Sequence, residues 1–516
     1  MSTVSPRPST DTTAEQRLND ALRLETRAGR GVLIACVLGS GLAGIDSTVV
    51  NIALPRIGRD FDAGFSALQW TVSGYTVTLA ALILLGGSLG DRFGRRRLFL
   101  IGVVWFAAAS CLCAAAPSVE LLVAARVLQG IGGALLTPAS LAILQSSFAE
   151  EDRSRAIGAW SGWSGTASAI APFLGGWLIG LGSWRWVFLI NPPLAIAVIL
   201  ISRRVMPESR DVEDTYPVDL VGAALGVAGL GAVTIGIISA SDRSLADPRV
   251  WLPTALGLMI LAAMIVYERR ARHPMLPVEL FRSRQFSATN AVTFLLYASN
   301  AGALFLLVIE LQTVSGFSPL LAGSALLPIT VVMLLLAARF GALAQRMGPR
   351  LFMSVGPCIA AAGLLLCLRL GRTAHYATDV LGPLTLFGLG LAVFVAPLTS
   401  TVLSAAPATH AGVASGVNNA VARAAGLLAI AALPVVVGLN GTVYTDPHRF
   451  IPAFHDALWI CAGLQLAGGL LSAVTIRNPR RVGPRGPAFC SLDTPPLHVA
   501  TVQQPTFRLG RADPDE

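Results

Sequence analysis

Two charged side chains stand inside long apolar stretches, where a charge is costly unless it serves a purpose. Asp46 follows Leu42-Ala-Gly-Ile and Arg126 follows Leu122-Val-Ala-Ala. An ionisable group at membrane depth costs roughly 2.5–3.5 kcal/mol on insertion scales; such groups usually face a bundle interior and carry function. Asp46 lies about 8 residues from the outer end of its stretch and Arg126 about 7 from the outer start of its own. At about 1.5 Å per residue both are therefore about 10–12 Å deep. A carboxylate there can load and release a proton, with an arginine at the same depth to hold its charge once the proton has gone. That is the chemistry of proton coupling.

Other polar residues interrupt apolar stretches. Asn51, Trp70, Tyr75, Gln129, Asn290, Tyr297 and Asn300 can line a cavity between helices. Glu310 stands near the outer end of its stretch, and Arg423 about 9 residues into another, near Asn418 and Asn419. Pro172, Pro328, Pro397 and Pro434 are expected to kink their helices. Most of the seven cysteines lie in apolar runs, and the six histidines lie in loops or the tail, none with metal-ligand spacing. Neither a metal site, a hydrolytic triad nor a phosphate-binding loop is present, so no cofactor is expected and ATP is not the energy source.

The composition says what must position these residues. Of 516 residues, 54% are hydrophobic before 51 glycines are counted; soluble domains reach about 45–50% with glycine included. Charged residues are 13%, about half the usual ~25%, and mean hydropathy is +0.66. A soluble enzyme, a disordered chain and a disulfide-stapled module are excluded. An all-α polytopic membrane protein remains. Fourteen spans are predicted, over 31–55, 69–88, 98–116, 119–140, 155–180, 186–203, 219–240, 250–267, 287–310, 320–341, 351–370, 379–402, 414–438 and 457–476. A net charge of +9 alone fits nucleic-acid binding, but the arginines fall in short groups between spans, as in loops of a membrane protein. All 38 basic residues are arginine. Placing the N-terminus inside puts 28 of them on the cytoplasmic side, 8 outside and 2 within spans. Both termini are thus expected in the cytoplasm of a bacterial inner-membrane protein.

The loop after span 2 reads Gly87-Ser-Leu-Gly-Asp91-Arg92-Phe-Gly94-Arg95-Arg-Arg, and the loop after span 10 echoes it as Gly341-Ala-Leu-Ala-Gln345-Arg346-Met-Gly348-Pro-Arg350. With spans 7 and 8 as an insertion, this implies two related six-helix bundles with a midplane site, a transporter architecture. The expected organisation is a cytoplasmic segment 1–30, an N-terminal bundle 31–203, two inserted helices within 204–270, a C-terminal bundle 271–476 and a disordered tail 477–516. A carboxylate at Asp91 can dock on a facing helix N-terminus, here span 13 near Gly412, as a conformational latch with Gly87, Arg92, Gly94 and Arg95.

These motifs carry a resemblance. Gly87–Arg97 resembles the loop signature of the major facilitator superfamily. Asp46-Ser-Thr-Val-Val-Asn51-Ile-Ala-Leu-Pro55, Arg126-Val-Leu-Gln129-Gly130, Ser183-Trp-Arg-Trp186 with Asn191-Pro192, and Gln312 with Gly316-Phe-Ser-Pro-Leu320 and Ala322-Gly323 are similar to its fourteen-helix drug:proton antiporters of EmrB/QacA type. The antiporter motif of span 5 is met by Gly158, Pro172, Gly175 and Gly176, with alanine at 167 and 171 where that branch has glycine. The resemblance implies proton-coupled export of amphipathic, cationic small molecules by a monomer, with Asp46, Arg126 and Glu310 in proton coupling. Protons and membrane lipids are the other implied partners. A lipid or envelope-precursor flippase on the same fold is the alternative. A polytopic enzyme needs clustered acids, histidines or serines at one face, which the loops lack. A non-transporting sensor would not require both the latch and the buried acid. The topology is testable: cysteines at Arg272 should label only from the cytoplasm and at Asp247 only from outside, and Asp247 labelling from within would overturn the fourteen-span reading.

Overall fold

The structure, a computed structural model, describes residues 22–209, 218–272, 274–406, 411–441, 443 and 446–478. Most of the expected N-terminal segment and tail lies outside the described residues. Among the described residues fourteen long helices follow one another: α1 (Arg27–Asp60), α2 (Phe65–Phe93), α3 (Arg95–Ala115), α4 (Val119–Ser147), α5 (Glu150–Gly180), α6 (Trp186–Val205) and α7 (Leu220–Ser239). Then come α8 (Pro248–Glu268), α9 (Arg284–Thr313), α10 (Pro319–Met347), α11 (Pro349–Leu366), α12 (Leu381–Ser404), α13 (Ala411–Val436) and α14 (Pro447–Thr475). Among the described residues, thirteen are long and apolar enough to cross a membrane, and in α5 the apolar stretch Ile170–Gly180 is shorter. The chain is an all-helical, multi-pass membrane protein.

Polar caps set the helix starts. Thr26, Ser118, Asp219, Asp247, Ser283 and Ser318 each accept a backbone N–H of the first turn with their side chain. Asp446 does the same for His448, with Pro447 in the first helical position, so α14 begins well before the expected residue 457. Hydropathy alone missed that polar first turn of α14, His448-Arg449.

Packing sorts the helices into two bundles. In the first, α4 lies against α2 and α3, and α1 against α5 and α6; in the second, α12 lies against α10 and α11, and α9 against α13 and α14. The pair α7–α8 leans on α2 and α13. The repeated loop has a repeated conformation. Gly94 (φ +105°) ends α2 and starts α3, and Gly348 (φ +93°) ends α10 and starts α11. Only glycine takes that backbone without strain, so each bundle turns its second helix into its third on the same residue.

The hydrogen bonds between the two bundles lie away from the arginine-rich face, on the side here termed the far face, while nearer the arginine-rich face α2 and α13 still touch where Gly416 meets Leu84. Gln69 donates to the carbonyls of Ile430 and Ala431 (2.8 and 3.0 Å), Gln312 to that of Ile52 (3.0 Å), and the Phe65 amide to that of Gly441 (2.9 Å). At the same level α5 and α10 touch backbone to backbone. A Cβ on Gly176 would lie 2.6 Å from Leu320 Cα, and one on Gly323 would overlap the Pro172 carbonyl. Toward the arginine-rich face α5 packs on α1, where Trp160 donates to the Ser40 hydroxyl (3.0 Å), while a Cβ on Gly158 would meet nothing within 4 Å. The halves are thus closed at the far face. Gly176→Ala should cost about 1–3 kcal/mol of that closure through overpacking. Amide hydrogen exchange at 314–326 should then rise about fivefold or more. Unchanged exchange would show that this approach does not hold the closure.

Candidate functional site

The first bundle encloses a charged cluster. Asp46 of α1 and Arg126 of α4 are each 1% exposed, and Arg126 Nη1 donates to Asp46 Oδ2 in a direct ion pair. The depths read from the sequence meet in space. Both side chains have further partners. Arg126 Nη1 also donates to Gln129 Oε1 (2.6 Å), and its Nε to the Thr71 carbonyl (3.0 Å). The guanidinium lies over the Tyr75 ring at 4.5 Å and the Phe188 ring at 5.8 Å. Asp46 Oδ1 accepts from Gln129 Nε2 (2.8 Å) and Asn191 Nδ2 (3.2 Å). Gln129 and Asn191 share the Ser110 hydroxyl (2.8 and 3.1 Å). Charge and shell together form a buried polar network drawn from α1, α2, α3, α4 and α6.

The expected cavity residues divide. Tyr75 and Gln129 belong to this network and are sealed within it. Neither lines a cavity: Gln129, at i+3 from Arg126, shares its helix face, and Tyr75 lies beneath the guanidinium. Asn290 accepts from Asn418 (3.1 Å) and Asn300 from Gln465 (2.7 Å), so both are bonded within the second bundle. Asn51, Trp70 and Tyr297 remain partly exposed. Glu310 is not a solvated interfacial acid: it is fully buried and accepts from the Ser315 hydroxyl (2.8 Å), folded over it by the turn after α9. It sits by the far-face closure, near Gln312, in a different bundle from Asp46. Arg423 bonds neither Asn418 nor Asn419, since Asn418 turns to Asn290 and Thr293 and Asn419 to the Ser415 carbonyl. Ser110 and Thr71 carry no sequence signal, while Asn191 belongs to the Asn191-Pro192 motif at the start of the second part of α6.

At the junction of α2 and α3, Asp91 in the last turn of α2 is a third exposed and pairs with Arg95 at the start of α3 (2.7 Å). The Arg92 guanidinium lies over the Phe93 ring at 5.4 Å. Glu208, at the end of α6, accepts the amides of Arg96 and Arg97 (3.1 and 3.2 Å) and so caps α3. A Cβ on Gly94 would meet that carboxylate at 2.7 Å, while Gly87 only touches Pro138. The expected docking point, around Gly412, falls in the first turn of α13, and 407–410 just before it lie outside the described residues. In α5, Gly175 packs on Val49 of α1 and Gly176 and Pro172 on α10. Among the described residues no group of three His, Cys, Asp or Glu is placed to hold a metal.

Comparison with known proteins places this geometry. The family model of the Major Facilitator Superfamily matches residues 36–430. The methylenomycin A resistance protein of Bacillus subtilis is 33% identical, covering 81% of this chain and 89% of that protein. The tetracenomycin C resistance and export protein of Streptomyces glaucescens is 34% identical, covering 80% and 77%. Among solved structures, a peptide transporter in complex with sulfate superposes with a TM-score of 0.65 at 16% identity, covering 89% of this chain and 97% of that one. A bacterial homolog of the human lysosomal transporter Spinster gives 0.62 at 16%, covering 88% and 100%. The last two share the fold.

The network makes a prediction for stability. Asp46→Leu leaves Arg126 buried without its counter-charge and should cost about 3–5 kcal/mol, and Arg126→Leu a similar amount. Replacing both should cost less than either alone. Thermal unfolding of the purified variants measures this, and additive losses would deny that the pair acts as a unit.

Proposed function

The chain belongs to the major facilitator superfamily, and from that premise we propose that it is a drug-efflux protein of the fourteen-helix antiporter branch. In this reading it exports amphipathic small molecules from a bacterial cytoplasm in exchange for protons. The observation that carries it is the position of the ion pair. Asp46 lies on the same helix, within two turns, as Val49 and Ile52, which meet Gly175 of α5 and Gln312 of α9 at the far-face closure. The chemistry of the proton and the closure of one gate therefore share α1.

The arginine-rich face is taken as cytoplasmic, with both termini there. The state described is then closed to the outside, with Asp46 charged and paired. That is the form of an antiporter that has given up its proton and can accept cargo from within. When the outer side opens, a proton on Asp46 removes the charge that Arg126 matches. Arg126 keeps the Thr71 carbonyl, Gln129 and the Tyr75 ring, while α1 loses its strongest tie to α4. The loop Gly87–Arg97 acts as the latch of that second state, with Asp91 leaving Arg95 for the start of α13. Glu310 is the second acid, at the outer gate. One chain supplies both gates, so the unit is a monomer.

The test is proton-driven uptake of a fluorescent drug into inverted vesicles as a function of pH. Asp46→Asn keeps shape and hydrogen bonds but cannot ionise, so it should abolish accumulation while leaving energy-independent exchange. Arg126→Lys keeps the charge but loses the planar fork, and transport should be impaired and not lost. Accumulation by Asp46→Asn against a gradient would place the proton elsewhere, with Glu310 first.

A further inference from the structure

Between the two bundles stands a charge that no described residue neutralises. Arg423 lies near the middle of α13, on the helix face shared with Gly416 and Ile430. Gly416 meets Leu84 and the Ile430 carbonyl meets Gln69, so α13 runs antiparallel to α2 with Arg423 level with the Tyr75–Thr78 turn. Asn418 meets Asn290 and Thr293 and Gly426 meets Ala301, so the same residue is level with Tyr297 of α9. The depth of Arg423 is therefore that of the Asp46–Arg126 pair, whose Nε bonds Thr71 one turn from Tyr75.

The side chain is partly exposed and has no hydrogen bond or ion pair among the described residues. Nor is an acid at hand on the helices packed against α13. Asp91 is held by Arg95, Glu310 lies about 20 Å further along α9, and Asp456 is roughly 10 Å nearer the far face than the contact of Ser299 with Cys461 implies for Arg423. The acids of the site are covered: Asp46 is paired and Glu310 sealed at the outer gate. The accessible charge at midplane is positive.

We propose that Arg423 binds an oxyanion, a carboxylate carried by the exported amphipathic molecule, with the partly exposed Tyr297 beside its aromatic body. A guanidinium meets a carboxylate through two parallel hydrogen bonds, which gives direction as well as strength. The inference rests on the export reading above and adds the sign of the cargo's charge: acidic or zwitterionic molecules are held, and a simple cation is not.

The test is pH-gradient-driven transport in proteoliposomes of the purified full chain, as wild type, Arg423→Gln and Arg423→Lys. The probes are a carboxylate dye of the fluorescein type, its methyl ester, the cation ethidium and a labelled phosphatidylglycerol. Wild type should move the carboxylate dye. Arg423→Gln should weaken its apparent affinity about tenfold to a hundredfold, and Arg423→Lys less, with the ester and ethidium unaffected by either variant. Stabilisation of the detergent-purified protein by the dye should follow the same order and shows that the variants fold. Equal affinity of wild type and Arg423→Gln for the dye would overturn the inference. Transport of ethidium but never of the dye would overturn it while leaving export standing, whereas transport of no probe would remove both readings. Equal loss of every probe in Arg423→Gln would make Arg423 a part of the fold. Arg423-dependent movement of the lipid alone would assign the oxyanion to a headgroup and refute the small-molecule cargo.

Discussion

A buried arginine in a membrane has to be matched on every side, and the matching of Arg126 dictates how the first bundle packs. Its five donors need oxygen atoms or ring faces, and one helix cannot supply them. The glycines of α4 bring the others near. A Cβ on Gly130 would overlap Thr78 and the Tyr75 carbonyl, and one on Gly132 would stand 2.8 Å from the Phe106 amide. Without those atoms α2 and α3 approach closely enough to deliver the Thr71 carbonyl, the Tyr75 ring and the Ser110 hydroxyl. Small residues commonly serve as such contact points between membrane helices, where apolar area gives no net drive to associate. Here the close approach has a chemical consequence as well, because the polar shell closes only at that distance.

How much of this could be read in the sequence depended on the range of the interaction. Span number, the arginine asymmetry and the glycine-marked loops are local patterns, and the repeated positive φ at Gly94 and Gly348 is their physical counterpart. The meeting of Asp46 with Arg126 was legible because depth in a membrane is one-dimensional and can be counted along each helix. Azimuth cannot be counted between helices. Tyr75 was therefore indistinguishable from Trp70, though one lies beneath a guanidinium and the other is partly exposed. Gln129 was readable in principle, since its spacing from Arg126 fixes a common face. Ser110 and the sealed state of Glu310 were not, because each depends on a neighbour that only the tertiary fold brings close.

The same distinction separates the two positive charges at midplane. Arg126 is enclosed by elements of its own bundle, each fixed in place by glycine contacts, and its compensation survives any motion of the bundles against each other. Arg423 lies on a surface that another bundle faces, so its surroundings change with that motion. A charge of the first kind belongs to the machinery. One of the second kind meets whatever enters between the bundles.

The far-face closure is built from weak parts, which is a requirement of its role. The hydrogen bonds of Gln69, Gln312 and the Phe65 amide end on backbone carbonyls, and each contributes a net ~0.5–1.5 kcal/mol. Together they amount to a few kcal/mol. Reversing a two-state equilibrium from 1:99 to 99:1 takes about 5.5 kcal/mol of differential binding. Breaking one side of a buried ion pair is worth about 3–5 kcal/mol, so a proton on Asp46 acts on the scale of the closure it must tilt. A closure locked by ion pairs of its own would lie beyond that reach. The strong interaction is kept inside the first bundle, the weak ones lie between bundles, and α1 runs from one to the other through Asp46, Val49 and Ile52.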